Sequence, residues 1–175
     1  MKVFVDVETT GLNAQSEFVI AVAIKGIDGP LDWVENIQMP EGAVNGAFHI
    51  NGLSGQGVDR QWAFGQIAHI LSDAEEVWAH NAPFDEGFIR AEFARMGIEV
   101  SIPKFRCSGL ALRDRMGVTG TRADGSLRIP GLKACVERFM PFEDTSSHHR
   151  CEWDASVGAS LVELVINEAN DIGLW

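Results

Sequence analysis

Asp6 and Glu8 stand two residues apart in a run that begins Met1, Lys2, Val3, Phe4, Val5 and ends Thr9, Thr10, Gly11, Leu12. On a β-strand the side chains alternate, so both carboxylates share one face while Val3, Val5 and Val7 point the other way, into a core. Two like charges held that close repel each other, and burial worsens the repulsion unless protons or cations intervene. A divalent cation with oxygen ligands is the simplest device that makes the pair tolerable. Thr9, Thr10 and Gly11 end the strand with hydroxyls, backbone N–H groups and a flexible residue, a seat for a phosphate or a sugar. A strand end whose acids merely face water would read the same way in this stretch alone.

Two further segments bring chemistry-bearing residues. His80-Asn81-Ala82-Pro83-Phe84-Asp85 follows a short apolar strand at 75–79 and opens a helix on which Ile89, Phe93 and Met96 recur. Pro83 suits a helix start, which puts Asp85 in the first turn beside the C-terminal end of a strand, where open α/β sheets place their crevices. His148, His149, Cys151 and Asp154 precede an apolar helix expected to run to about Ala169. Taken singly, Asp85 and Asp154 read equally well as helix N-terminal acids that favour the macrodipole.

The elements that must position these residues follow from periodicity. Residues 17–25 are nearly all apolar and suit a central strand, Asp28-Gly29-Pro30 marks a turn, and 31–38 is extended again, so the first three strands form an antiparallel meander. Residues 39–57 read as a loop with five glycines. The spacing predicts a helix over 58–74, with Trp62, Ile67, Ile70 and Leu71 on one face, a fifth strand at 98–102, and helices over 106–116 and 130–140. Residues 117–128 form a polar loop with two arginines, 144–147 is loop, and Trp62, Trp78 and Trp153 are expected in the core.

At 175 residues, with no repeat or linker, the chain is expected to form one domain spanning 1–175. No apolar run reaches membrane-spanning length and the N-terminus enters a strand directly, so neither a membrane span nor a signal peptide is expected. Three cysteines at unrelated spacings, Cys107, Cys135 and Cys151, argue for a reducing, cytoplasmic setting. The net charge of −11 excludes a long electrostatic track on nucleic acid. Residues 90–150, however, hold eleven of the fourteen Lys and Arg against seven Asp and Glu, so a short footprint on that side remains open.

Taken together, Asp6-Val7-Glu8-Thr9-Thr10-Gly11-Leu12, His80 through Asp85, and His149 through Asp154 resemble the three motifs of the DEDDh class of 3′→5′ exonucleases. This is the DnaQ-like family that includes the epsilon proofreading subunit of bacterial DNA polymerase III. Order and separations match over almost the whole chain. Phe48 to Leu53 and Leu132 to Cys135 resemble two further family elements. Asn51-Gly52-Leu53 departs from the His-Gly-Ile frequent in the family, and 117–129 matches no family pattern, so substrate choice is expected to reside there.

The resemblance implies an α/β fold of the ribonuclease H-like type, a mixed five-stranded sheet with helices on both faces. It implies that Asp6, Glu8, Asp85 and Asp154 hold two divalent ions, Mg²⁺ or Mn²⁺, about 4 Å apart. His149 would be the general base, leaving His148 a loop residue that touches at most a phosphate. Thr9, Thr10, Gly11 and Leu12 would meet the terminal nucleotide, with Asn81 and Phe84 as further contacts; core packing explains Phe84 equally well. A zinc site from His148, His149 and Cys151 fits no common spacing. The implied activity is release of nucleoside monophosphates from single-stranded 3′ ends, most simply of DNA in proofreading or repair. The alternatives are RNA trimming or oligoribonucleotide hydrolysis, or a non-catalytic module that binds a polymerase. The acidic surface leaves room for a DNA polymerase or other replication or repair protein that would supply affinity.

Overall fold

A computed structural model describes residues 1–167. Five strands lie in the order β3-β2-β1-β4-β5: β1 (Lys2–Thr9), β2 (Val19–Gly26), β3 (Asp32–Asn36), β4 (Glu76–Ala79) and β5 (Arg106–Cys107). β1, β2 and β3 form the expected antiparallel meander, whereas β4 runs parallel to β1 and β5 parallel to β4. The sheet is therefore mixed, and the C-terminal ends of β1 and β4 open on the same edge.

Helices cover both faces. Val3, Val5 and Val7 pack with Phe64, Ile67 and Leu71 of α2 (Arg60–Ser72) and with Phe88, Ile89 and Phe93 of α3 (Ala82–Met96). Phe4, Ala21, Ala23 and Trp78 point to the opposite face, against α5 (Leu132–Phe139) and α6 (Cys151–Leu161). The face carrying Asp6 and Glu8 is thus not open to water along its length: Phe4, two residues before Asp6, is fully buried under α6. The close approach depends on Gly158, where an added Cβ would lie 2.3 Å from the Phe4 ring. Gly158→Val is expected to cost about 3 kcal/mol or more by overpacking, visible as a melting temperature lowered by roughly 6–12 °C. An unchanged melt would mean that α6 does not rest on Phe4.

Glu92 of α3, only 1% exposed, joins two helices to the sheet. It lies 2.5 Å from Arg60 of α2 and 3.1 Å from Arg95, and it accepts a hydrogen bond from the Val19 amide at 3.0 Å. Removing one partner of such a buried ion pair strands the other without compensation. The network anchors the start of β2, beside the register shift between Glu8 and Thr9 that ends β1.

Several expectations give way to the packing. Residues 98–102 are not a strand: Gly97 caps α3 in the left-handed conformation, and the chain then runs back along α3 with Ile98, Val100 and Ile102 against the core. The fifth strand begins only at Arg106, where the chain reaches the free edge of β4. The helix expected over 106–116 shrinks to α4 (Ser108–Leu112): its first two residues are β5, and the chain passes into turns after Leu112. The loop over 39–57 contains a single helical turn, α1 (Phe48–Asn51), and a 3₁₀ turn spans Thr145–Ser147. Trp62 is 48% exposed rather than core, Trp153 is half-buried, and Trp78 is buried as expected. α6 gives way at Val162 to a π-helical turn through Asn167, and the expected helix end at Ala169 lies outside the described residues. Among the described residues no helix is long and apolar enough to cross a membrane.

Candidate active site

β1 delivers Asp6 and Glu8 to the edge of the sheet where β4 hands over to α3 and where α6 begins. One carboxylate oxygen from each of Asp6, Glu8 and Asp154 lies within 4.8 Å of the other two. Asp154 sits in the first turn of α6 and Asp85 in the first turn of α3. Asp85 is not one of that close trio, but its Oδ1 accepts a hydrogen bond from the Val7 amide, between Asp6 and Glu8, at 3.2 Å. Four carboxylates separated by up to 148 residues in sequence thus face one pocket of about 380 Å³.

Their electrostatics are those of a site built for cations. Burial pushes the Asp6 carboxyl well above its usual range, and Asp85, Asp154 and Glu8 add repulsion. Burial, then Asp154, raises Glu8 to about 7. Burial also raises Asp85, against hydrogen bonds from its own amide and that of Val7 that pull it down. Asp154 is raised by burial in spite of its bond to His148. An all-oxygen set of crowded, dehydrated carboxylates is the donor chemistry that hard divalent cations such as Mg²⁺ or Mn²⁺ require, so the residues fit the implied metals.

The same shifts predict how the metal-free protein responds to pH. A carboxyl whose folded-state pKa is raised binds more protons folded than unfolded, so stability is full below about 4.5 and is lost as pH rises toward 7, as for Glu8. Asp6, Asp85 and Asp154 act in the same direction. In EDTA the melting temperature should fall from pH 5 to pH 8 by an amount reflecting on the order of 1–3 kcal/mol. Millimolar Mg²⁺ should restore it at pH 8 far more than at pH 5. A melt in EDTA that rises with pH would contradict the crowded site.

The two adjacent histidines divide their work in a way that the sequence does not show. His149 adopts a left-handed backbone, φ 72°, which turns the chain so that consecutive residues reach one carboxylate. His148 Nδ1 donates to Asp154 Oδ1 at 2.8 Å, while the His149 amide donates to Asp154 Oδ2 at 3.1 Å. The His149 ring, exposed, stacks 3.9 Å from that of His148, and both border the carboxylate pocket. His148 is therefore not the peripheral loop residue expected: it orients Asp154 and packs against Trp153.

His80 is a wall residue the sequence reading passed over, although it opens the second motif. Its Nε2 lies 2.7 Å from the Pro130 carbonyl, which can only accept, so Nε2 carries the proton and Nδ1 accepts from the Ser108 hydroxyl at 3.0 Å. Burial holds its pKa down. With both nitrogens engaged, His80 ties α4 and the start of α5 to the site rather than exchanging protons.

The loop after β1 is held by its own bonds. The Thr9 hydroxyl donates to the Gly11 carbonyl at 2.6 Å, and the buried Thr10 hydroxyl donates to Glu17 at 2.5 Å and accepts from the Phe18 amide at 2.9 Å. The threonine hydroxyls thus shape the loop, and what projects from it is Leu12, 87% exposed at the pocket mouth. Asn81, exposed, and Phe84, half-buried, line the same pocket. Asn51 donates to the Thr9 carbonyl at 3.1 Å, so the loop around α1 does reach the site. With Gly52 and Leu53 it walls a second cavity of about 400 Å³ that shares Glu8 and His149 with the first.

Comparison with known proteins gives a consistent picture. No family model matches the chain. The ribonuclease T of Shewanella sp. strain MR-4 is 27% identical over 99% of this chain and 85% of its own length. Among solved structures, E. coli Exonuclease I in complex with a dT13 oligonucleotide superposes with a TM-score of 0.74 at 16% identity, covering 98% of this chain and 42% of that one. A zinc-bound form of the E. coli Exonuclease I complex with single-stranded DNA gives a TM-score of 0.74 at 15% identity, covering 97% of this chain and 41% of that one. The chain therefore spans about two fifths of the length of these solved neighbours. The likeness to the epsilon subunit rests on the motifs alone. The fold is the mixed five-stranded, ribonuclease H-like α/β fold of these exonucleases.

Proposed function

We propose that this chain is a metal-dependent 3′→5′ exonuclease that releases nucleoside monophosphates from single-stranded 3′ ends. The observation that carries this reading is the convergence of Asp6, Glu8, Asp85 and Asp154 on one pocket, three of them crowded within 4.8 Å, with two histidines at its rim. All four carboxylates would hold Mg²⁺ or Mn²⁺. When bound, these ions supply neutralisation of the phosphate, an acidified water and stabilisation of the leaving oxygen. His149 accepts the proton of the attacking water, and the His148 bond keeps Asp154 turned toward the pocket. Leu12 abuts the terminal base, and backbone groups of residues 9–11 meet its sugar, because the threonine hydroxyls are engaged within the loop. Asn81 and Phe84 border the path.

The neighbours with oligodeoxynucleotides support DNA as substrate. A second reading, RNA trimming, is favoured by the sequence relative named ribonuclease T, of whose length the chain spans 85%. A protein with basic surface, such as a polymerase or another replication or repair factor, would offset the −11 charge. The non-catalytic alternative has little to recommend it with every carboxylate in place. The test is digestion of matched DNA and RNA strands labelled at the 3′ or the 5′ end, with Mg²⁺ or with EDTA. Mononucleotides from the 3′ end, abolished by EDTA, are expected. Release from the 5′ end, or full activity in EDTA, would refute the assignment.

A further inference from the structure

Residues 113–128 carry four arginines and two aspartates, the reverse of the chain's overall charge. They build a small arm. Thr121 bridges Leu127, the Arg122 amide donates to the Ser126 carbonyl at 2.7 Å, and the Arg128 amide donates to the Gly120 carbonyl at 3.2 Å. Arg113 braces it from below, its Nε donating to the Arg128 carbonyl at 3.1 Å. Residues 119–128 are all exposed, so the arm contributes nothing to the core.

What the arm does create is a groove. Arg122, Asp124 and Ser126 face Leu12, Asn81 and Phe84 across a space of about 350 Å³. Those last three residues also border the carboxylate pocket, so the groove opens directly from it. One wall is apolar and aromatic, with Phe84 packed on Phe88 at 4.8 Å; the other presents a guanidinium. The described hydrogen bonding of the Arg122 side chain is a 3.5 Å contact with the Leu127 carbonyl, which leaves donors for a ligand. Asp124 on the same wall is occupied by the Ser126 amide and hydroxyl at 2.9 and 2.7 Å.

We propose that this groove carries the nucleic-acid strand leading away from the reacting 3′ end, with Arg122 on a backbone phosphate upstream of the scissile bond and bases against Leu12 and Phe84. The proposal rests on the exonuclease reading and adds its substrate path. A stacking face opposite a cation is the chemistry that single strands use, and a single such contact suits a chain too acidic for a long track.

The experiment measures kcat and KM of the wild type, Arg122→Glu and Lys133→Glu on single strands of two to ten nucleotides with Mg²⁺. Lys133 lies on α5, outside the groove, and gives the same charge change. For Arg122→Glu, KM should rise about tenfold, as expected for one charge-assisted contact, and only once the strand is long enough to enter the groove. kcat should change little. The log–log salt slope should fall by about 0.7 for the lost phosphate contact. Lys133→Glu should track the wild type. Equal KM values for the two variants, or a penalty independent of length, would overturn the groove. A wild type inactive on every strand would instead overturn the exonuclease reading.

Discussion

Asp85→Asn is expected to lower kcat by about 10³-fold or more, comparable with removing a central electrostatic contact in other active sites, while leaving the fold intact. The amide keeps an oxygen for the Val7 N–H at 3.2 Å, so α3 stays docked on β1. What it removes is a buried negative charge among Asp6, Glu8 and Asp154, which is the charge that calls for a cation. The metal-free variant should therefore be at least as stable as the metal-free wild type at pH 8, where repulsion is strongest. Asp6→Asn should behave alike, since Asp6 faces Asp85, Asp154 and Glu8. Turnover and melting in EDTA, measured side by side, make the check. Near-normal turnover in either variant would remove the carboxylates from the chemistry. A large loss of stability would show them to be structural instead.

The histidines give the second contrast. His149→Ala should lower kcat by about 10²–10⁴-fold, the usual contribution of a positioned general base, with KM little changed. His148→Ala should act through Asp154, whose Oδ1 it holds at 2.8 Å. Loss of a bond that orients a metal-ligating carboxylate typically costs 10–100-fold, in affinity for metal or in activity. His148→Ala should therefore need more Mg²⁺ for half-maximal rate and recover substantially at saturating metal. His149→Ala should not recover. His148→Asn, whose amide nitrogen stands where the imidazole Nδ1 stands and can still donate to Asp154, should restore the ordinary metal requirement. If His148→Ala were the variant that no metal concentration rescues, the base would be His148, and the four-residue spacing between His149 and Asp154 would be a misleading guide.

Alternation and motif order were enough to bring Asp6 and Glu8 to one strand face, to start α3 at the Pro83 segment with Asp85 in its first turn, and to join β1, β2 and β3 as a meander. These features are local: period two, a proline at a helix start and a turn signal each act within a few residues. The four carboxylates that share the pocket were named by the motif resemblance, since Asp85 and Asp154 taken singly read equally well as helix N-terminal acids. The alternation of Ile98, Val100 and Ile102 misled because it records burial and not pairing. Those side chains pack on the core without strand partners, and only the return path of the chain to β4 decides that pairing begins at Arg106.

Tertiary structure alone decided the rest. Whether the acidic face of β1 is open or covered depends on α6 coming within touching distance of Phe4 at Gly158, about 150 residues downstream. That burial is what raises the carboxyl pKa values. Two adjacent histidines look equivalent as letters; the left-handed turn at His149 separates the ring that holds Asp154 from the ring that stays exposed. The arginines of 113–128 become a groove wall only because the arm stands opposite Leu12 and Phe84. Local periodicity specifies which way a side chain leaves its own element. What that side chain meets is set by long-range packing, and charge, desolvation and access all follow from the encounter.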